Sequence, residues 1–476
     1  MEFGAEALVA EALAAGCMAM LVWFGTGLHP WWPLMWLAPL PALVIATRST
    51  WVRTLLVAFA GFFIGGLNLW HYLHDVLSAP ALVLVLEFAL QALLFALVIL
   101  LFRALYHRQA WALAMVGFPA AWASIEYLVS LVWVHGTAGD FAYTQLDNLP
   151  ALQTASVTGP WGITFLVLLL PASLVILPRA PRLASGGLST LLVACLFGTV
   201  RLNHRDSDAR TRVGLVASDV NRNVADEGPP TVRLLKDYAS QARQLAAQGA
   251  EAIVLPEKLG VLVGADTAAT DAMFQSIADQ HKTRIVVGVI RVISGARYNQ
   301  ARIYSPGAAV ETYDKEHMLP PYESKLTPGT TLTLLSNWGV AICKDMDFTA
   351  PSRPYGEAGA RVLLVPAWDF DLDRWSHGHM AIMRGVENGF SIVRAARQGY
   401  LTVSDNRGRV VAEARSDAAP FSTLITDVPL THGGTLYEKA GDWFAWLMLA
   451  IFAAALIRVT RLARIDHSLV RGRLHT

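Results

Sequence analysis

The feature that most restricts this 476-residue chain is the spacing of its apolar runs. Stretches near 6–24, 54–71, 80–102, 109–134, 154–177 and 442–458 approach or reach the roughly 17–25 residues that carry a helix across a bilayer. Shorter ones lie at 32–47 and 184–200. Such a chain is expected to be at least partly a membrane protein. Composition agrees, with 54% hydrophobic and 16% charged residues, against about 25% charged in ordinary soluble domains. Charges are sparse in 1–200 and common in 201–440, which separates a membrane part from a globular part. A net charge of +1 gives no basic field, so nucleic acid is not an expected partner.

The loops orient the chain. Arg48 and Arg53, then Arg103 and Arg108, then Arg179 and Arg182 fall in alternate connections, and 25–31, 72–79 and 135–153 contain neither Lys nor Arg. The tail adds Arg458, Arg461, Arg464, Arg471 and Arg473. All these clusters share one side if seven spans precede the globular part and one follows it. Positive loops stay in the cytoplasm, so the globular part is expected outside, in the periplasm of a bacterium. The first run is read as a span, not a signal peptide, because Glu2, Glu6 and Glu11 stand where a signal carries Lys or Arg. Trp31, Trp32, Trp36, Trp443 and Trp446 fit an interfacial belt. Glu87, Gln91, Glu126, Asn68, His71 and His74 are expected to hydrogen-bond between helices or face the bundle interior, the alternative being a lipid headgroup pocket. The expected organisation is a bundle over 1–203, a globular domain over 211–430, and a last span with a basic cytoplasmic tail over 440–476.

From Val213 short β-branched strands alternate with helices. Strands are expected at 212–218, 250–257, 284–290, 360–368, 390–396 and 400–405, with a hairpin near 299–313 and a strand ending at Cys343. Helices are expected at 231–249, 268–281, 352–360 and 377–389. This pattern is an α/β layered domain, and the hairpin makes its sheet mixed. His377-Gly-His379 lacks a convincing carboxylate–histidine set and is read as structural, and no CxxC pair is present.

Three polar residues follow apolar strands: Glu257 after "IVLP", Lys315 in "ETYDKEHMLPPYE", and Cys343 after "GVAI". Side chains at strand ends converge on one crevice in open α/β sheets. A carboxylate, a cation and a thiol are the set needed for acyl transfer through a thioester. Their order and context ("LPE", then Lys315, His317, Pro320 and Glu323, then Cys343 and Asp345) resemble the nitrilase, or carbon–nitrogen hydrolase, superfamily. With the membrane runs, and with "PAAWASIEYL" (119–128), 149–170 and 383–411, the chain is similar to the apolipoprotein N-acyltransferase family, as a divergent member.

The resemblance implies an integral membrane helical bundle of about eight spans carrying a nitrilase-like αββα sandwich. It implies no cofactor and no metal. Cys343 would be the nucleophile, Glu257 the base, and Lys315 the oxyanion cation and a depressor of the thiol pKa, with Glu323 and Asp345 in support. The implied donor is a phospholipid, and the acceptor a lipoprotein N-terminal amine or another amine-bearing molecule. With water as acceptor the same residues would make a membrane-tethered amidase or nitrilase; without activity the chain would be a scaffold. Lys344-Asp345 replaces the family's usual Tyr-Glu, "LPPYES" departs from its usual lysine loop, and "GLVASDVNRN" from its opening strand. Lys344 is either a solvated residue or a second cation near Cys343.

Overall fold

The structure, a computed structural model, describes residues 2–204, 209–220, 222–431 and 433–473, with the side chains of 2–5 and 462–473 left aside. The tail arginines 464, 471 and 473 therefore lie outside the described side chains. Two compact units emerge: Met1–Leu131, Gly139–Val200 and Asp442–Thr476 form the first, and Val132–Ala138 with Arg201–Gly441 the second.

In the first unit six helices among the described residues are long and apolar enough to cross a membrane: Glu6–Gly25, Trp51–Leu69, Ala81–His107, Trp111–Ser130, Pro181–Asn203 and Trp443–Arg461. Trp32–Ala46 and Pro160–Ile176 are shorter. The run expected to be short at 184–200 is thus a full-length helix, because its polar start at 181–186 continues the same helix. The run at 154–177 is shortened, because Gly159 at φ +65° and Pro160 start the helix late. Small residues let helix axes approach: a Cβ on Gly65 would stand 2.5 Å from Val22 Cβ. Buried Glu126 accepts from Trp122 Nε1 (2.9 Å), the Phe141 amide (2.8 Å) and Thr164 Oγ1 (2.7 Å). Asn68 Nδ2 donates to Trp23 O and Thr26 Oγ1. Both residues do the interhelical bonding expected of polar groups in spans.

In the second unit β1 (Arg210–Ala217), β2 (Ala252–Val254), β3 (Val261–Leu262), β4 (Arg284–Ile293), β5 (Ala296–Tyr304) and β6 (Glu311–Asp314) belong to one sheet. A second contains β7 (Leu334–Leu335), β8 (Trp338–Val340), β9 (Val362–Trp368), β10 (Ser391–Arg397), β11 (Tyr400–Ser404) and β12 (Val410–Arg415). The last strand, β13 (Ser422–Pro429), returns to the first sheet and pairs antiparallel with β1. The orders are β13-β1-β2-β4-β5-β6, with β3 beside β4, and β12-β11-β10-β9-β8-β7. Parallel and antiparallel neighbours mix in both, as the hairpin predicted.

Period-two alternation makes this a four-layer sandwich. Val213, Leu215 and Ala217 of β1 point inward with Val286, Ile303, Val340, Leu364 and Val393 from both sheets. Val216 points outward, into the layer of helices Pro229–Ala247 and Ala265–His281. On the other face Leu363, Val365 and Ile392 meet Tyr355 and Ala381 of helices Ser352–Glu357 and Arg374–Asn388. The arrangement is the expected αββα sandwich.

Candidate active site

Strand ends position the three candidate residues. Glu257 lies just past β2, in a turn whose amide donates to Ala367 O (3.2 Å). Lys315 follows β6 directly, its amide bonded to Asn299 O of β5 (2.9 Å). Cys343 begins a 3₁₀ turn three residues past β8, with φ +43°. A Cβ-bearing residue is uncommon in that region. Its thiol faces Trp368 O at 3.5 Å, next to the carbonyl that holds Glu257. The C-terminal end of β9 thereby brings the turns of Glu257 and Cys343 together.

The Lys315 ammonium is buried and donates to Glu257 Oε1 and Glu323 Oε2, each at 2.8 Å. Asn299 Nδ2 bridges the same two carboxylates, at 2.5 Å to Glu257 Oε1 and 2.8 Å to Glu323 Oε1. The Leu319 amide completes Glu323 Oε2. Burial alone would drive the lysine toward its neutral form, but the Glu257 and Glu323 carboxylates hold it well above its ordinary value. Burial likewise opposes charge on Glu323, and Lys315 and Lys258 override it, keeping the carboxylate far below the usual range. Lys315 is thus a fixed cation whose place Glu323 sets.

The thiol departs from expectation. Burial, with Glu257 next in weight, pushes Cys343 well above the ordinary thiol range, and Lys315 offsets only part of this. The lysine does not deliver a resting thiolate. The proton stays on sulfur until a base removes it.

Asp345, fully buried, ties two loops together. Oδ1 accepts from the amides of Glu316 (3.2 Å) and His317 (2.9 Å), and Oδ2 from the Ile342 amide (3.0 Å) and Tyr313 Oη (2.8 Å). One carboxylate thereby spans the lysine loop and the cysteine turn.

Lys344 is not solvated. It is buried, and its Nζ lies 3.1 Å from Asp347 Oδ2 and 3.0 Å from His135 Nδ1. The segment 132–138, read from sequence as the end of a span and the start of the following loop, packs on the cysteine turn. Thr137 N and Oγ1 both donate to Asp347 O, and a Cβ on Gly136 would sit 2.7 Å from that oxygen.

Three further groups escaped sequence reasoning. Lys258 is one, placed 2.7 Å from Glu323 Oε1. Asn299 is another, its only sequence signal being a polar residue within a buried strand. The third is a cluster of Asp369, Asp373 and His377, whose ligand atoms lie within 4.8 Å of one another. This corrects the reading of His377 as lacking carboxylates: Asp373 lies one helical turn earlier, and Asp369 arrives from the end of β9. Arg394 binds both oxygens of Asp369, one at 2.8 Å, so the cluster is an ion-paired network. Burial works against charge on His377, but Asp373, Asp369 and Asp347 raise it to about 9.

A buried lysine held by two carboxylates beside a protonated thiol on a tight turn suits nucleophilic attack on a carbonyl followed by release to a second nucleophile. Comparison with known sequences agrees. Residues 15–173 match the family described as apolipoprotein N-acyltransferase N-terminal domain, and residues 215–434 match carbon–nitrogen hydrolase. The apolipoprotein N-acyltransferase of Geobacter metallireducens is 27% identical over 395 residues, covering 74% of this chain and 75% of that protein. That of Pasteurella multocida is 26% identical over 496 residues, covering 93% of each. That of Haemophilus ducreyi is 24% identical over 370 residues, covering 69% and 72%.

Proposed function

We propose, from the premise that this chain belongs to the apolipoprotein N-acyltransferase family of the nitrilase superfamily, that it moves a fatty acyl group from a phospholipid, through a thioester on Cys343, to the N-terminal amine of a lipoprotein. Cys343 Sγ attacks the ester carbonyl while its proton passes to Glu257, and the oxyanion forms against the Lys315 ammonium. The ester C–O bond then breaks, and the lysophospholipid alcohol leaves with the proton from Glu257. In the second half the acceptor amine attacks the thioester and loses a proton to Glu257. The C–S bond breaks, and sulfur recovers that proton. Glu323 and Asp345 position Lys315 and the cysteine turn; Lys344 braces that turn through Asp347.

The observation that carries this reading is the pair of 2.8 Å bonds from buried Lys315 to Glu257 and Glu323. These bonds support the reading of Lys315 as the cation for the oxyanion with Glu257 as the base beside it. The elevated thiol fits a proton transfer that accompanies attack. Membrane helices and an acyl-transfer domain in one chain suit substrates that stay in the bilayer. We assign the bundle to 1–203, the catalytic domain to 211–430 and the last span with its tail to 440–476. The arginine pattern of the loops supports a bacterial inner membrane with the catalytic domain on the periplasmic side.

The test is intact mass after incubating purified protein with phospholipid. One acyl increment on the wild-type chain, absent in Cys343→Ala, is expected. A wild-type chain that never gains it would sink the reading.

A further inference from the structure

We infer that Lys258 is a positioning residue of this site, the second cation that holds Glu323 in place and so fixes where Lys315 points. The inference rests on the acyl-transfer reading above and deepens it. A lysine directly after a strand-end glutamate is ordinarily a solvated neighbour, but this side chain is only 13% exposed. Its Nζ donates to Glu323 Oε1 at 2.7 Å and lies 3.7 Å from Glu257 Oε1. The ammonium also stands 5.1 Å from the ring centre of Trp368, whose main-chain carbonyl faces the Cys343 thiol. The backbone at Lys258 has φ +52°, a conformation a Cβ-bearing residue adopts at a cost. That turn sends the side chain back toward the carboxylate pair.

Charge explains what it does. Glu257 and Glu323 are both more than nine-tenths buried and share one polar pocket. Lys315 alone leaves two carboxylates against one cation; with Lys258 the four charges sum to zero. During attack Lys315 must loosen from Glu257 to meet the oxyanion. Lys258 keeps Glu323 anionic throughout, so Lys315 stays tethered at its other bond. The groups facing Glu323 are Lys258 from the turn after β2, Lys315 after β6, Asn299 Nδ2 from β5, the Leu319 amide of its own loop, and Glu257 across the pocket.

Removing the cation 3.7 Å from Glu257 and 2.7 Å from Glu323 makes both carboxylates easier to protonate, and protonated Glu257 cannot take the thiol proton. The full chain, wild type and Lys258→Met, is followed from pH 5 to 9 in two ways. One is the rate of acyl adduct formation on Cys343 with phospholipid. The other is the rate of Cys343 alkylation by iodoacetamide, which needs no acyl substrate. The acid limbs of both profiles are expected to move up by about one unit, a tenfold slower rate at a fixed pH on the limb. The phospholipid KM should stay within about twofold, and Lys258→Arg should restore both limbs. Thermal unfolding of each variant checks folding. Should Lys258→Met not fold, Lys258→Gln removes the charge but keeps a donor, and is held to the same outcomes. A charge-removed variant that folds and keeps both wild-type limbs overturns the inference, as does failure of Lys258→Arg to restore them. Absence of adduct in the wild type together with a shifted alkylation limb in Lys258→Met would overturn the acyl-transfer reading and leave Lys258 as the tuner of the site's charge.

Discussion

Removing the Asp345 carboxylate should loosen the whole site, and the loss can be worked from its bonds. Asp345→Ala deletes the acceptor of the Ile342, Glu316 and His317 amides and of Tyr313 Oη. Glu316 and His317 are partly exposed, so water replaces some of what their amides lose. The Ile342 amide and the Tyr313 hydroxyl are buried, and each orphaned buried donor costs about 1–3 kcal/mol. The sum is about 4 kcal/mol. At about 2–4 °C per kcal/mol for a domain of this size, the melting temperature should fall by about 8–16 °C. Asp345→Asn keeps one acceptor oxygen and turns an amide NH₂ toward the Ile342 amide, so about half that fall is expected. Thermal unfolding in detergent at a fixed scan rate, read alongside acyl adduct formation on Cys343, is the assay. The Ala variant should also acylate more slowly than its folded fraction explains, because the lysine loop is no longer tied to the cysteine turn. An Ala variant melting within about 2 °C of wild type would refute the role given to this carboxylate.

Other positions give independent checks. In Gly288→Ala the new Cβ would stand 2.4 Å from Pro256 O and 2.6 Å from Glu257 Cα, both backbone. The Glu257 turn must move, so acylation should fall at least tenfold with about 1–3 kcal/mol of destabilisation; unchanged kinetics would contradict the placement of Glu257. Lys344→Met leaves Asp347 buried without its ammonium and should cost about 3–5 kcal/mol, largely recovered in Lys344→Met/Asp347→Leu. A cost near zero in a chemical denaturation series would return Lys344 to the solvent. His377, raised to about 9, stabilises the fold fully below its unfolded value of about 6.5 and loses that contribution as pH rises through 9. Melting temperature should therefore fall between pH 6.5 and 9 in wild type and less steeply in His377→Gln; parallel curves would refute a charged His377.

The sandwich was readable because β1, β4 and β9 announce themselves by apolar, β-branched runs, and Pro229–Ala247 by its amphipathic face. The closing strands β12 and β13 were not expected. β12 alternates exposed and half-buried residues, and β13 is half-buried and carries Thr and Asp. Such edges look like loops until a neighbour fills their hydrogen bonds. Glu257 and Cys343 each stood out as a polar residue just past an apolar strand, whereas Lys315 follows the polar strand Glu311–Asp314 and stood out through its order and context with the other two. Lys258 did not, because a lysine beside a glutamate reads as surface, and only the positive φ turns it inward. His135 lies 209 positions from Lys344, a separation no local pattern spans. The thiol's elevated state was also hidden, since burial outweighing Lys315 arises only once the chain has folded around it.

The most direct measurement takes the acyl-enzyme formed on Cys343 and mixes it, in a single turnover, with a peptide bearing an N-terminal S-diacylglyceryl-cysteine. The enzyme mass should fall by one acyl group as the peptide gains it on its α-amine, far faster than in buffer alone. Release as free fatty acid at the same rate with or without the peptide would contradict the account, leaving water as the natural acceptor.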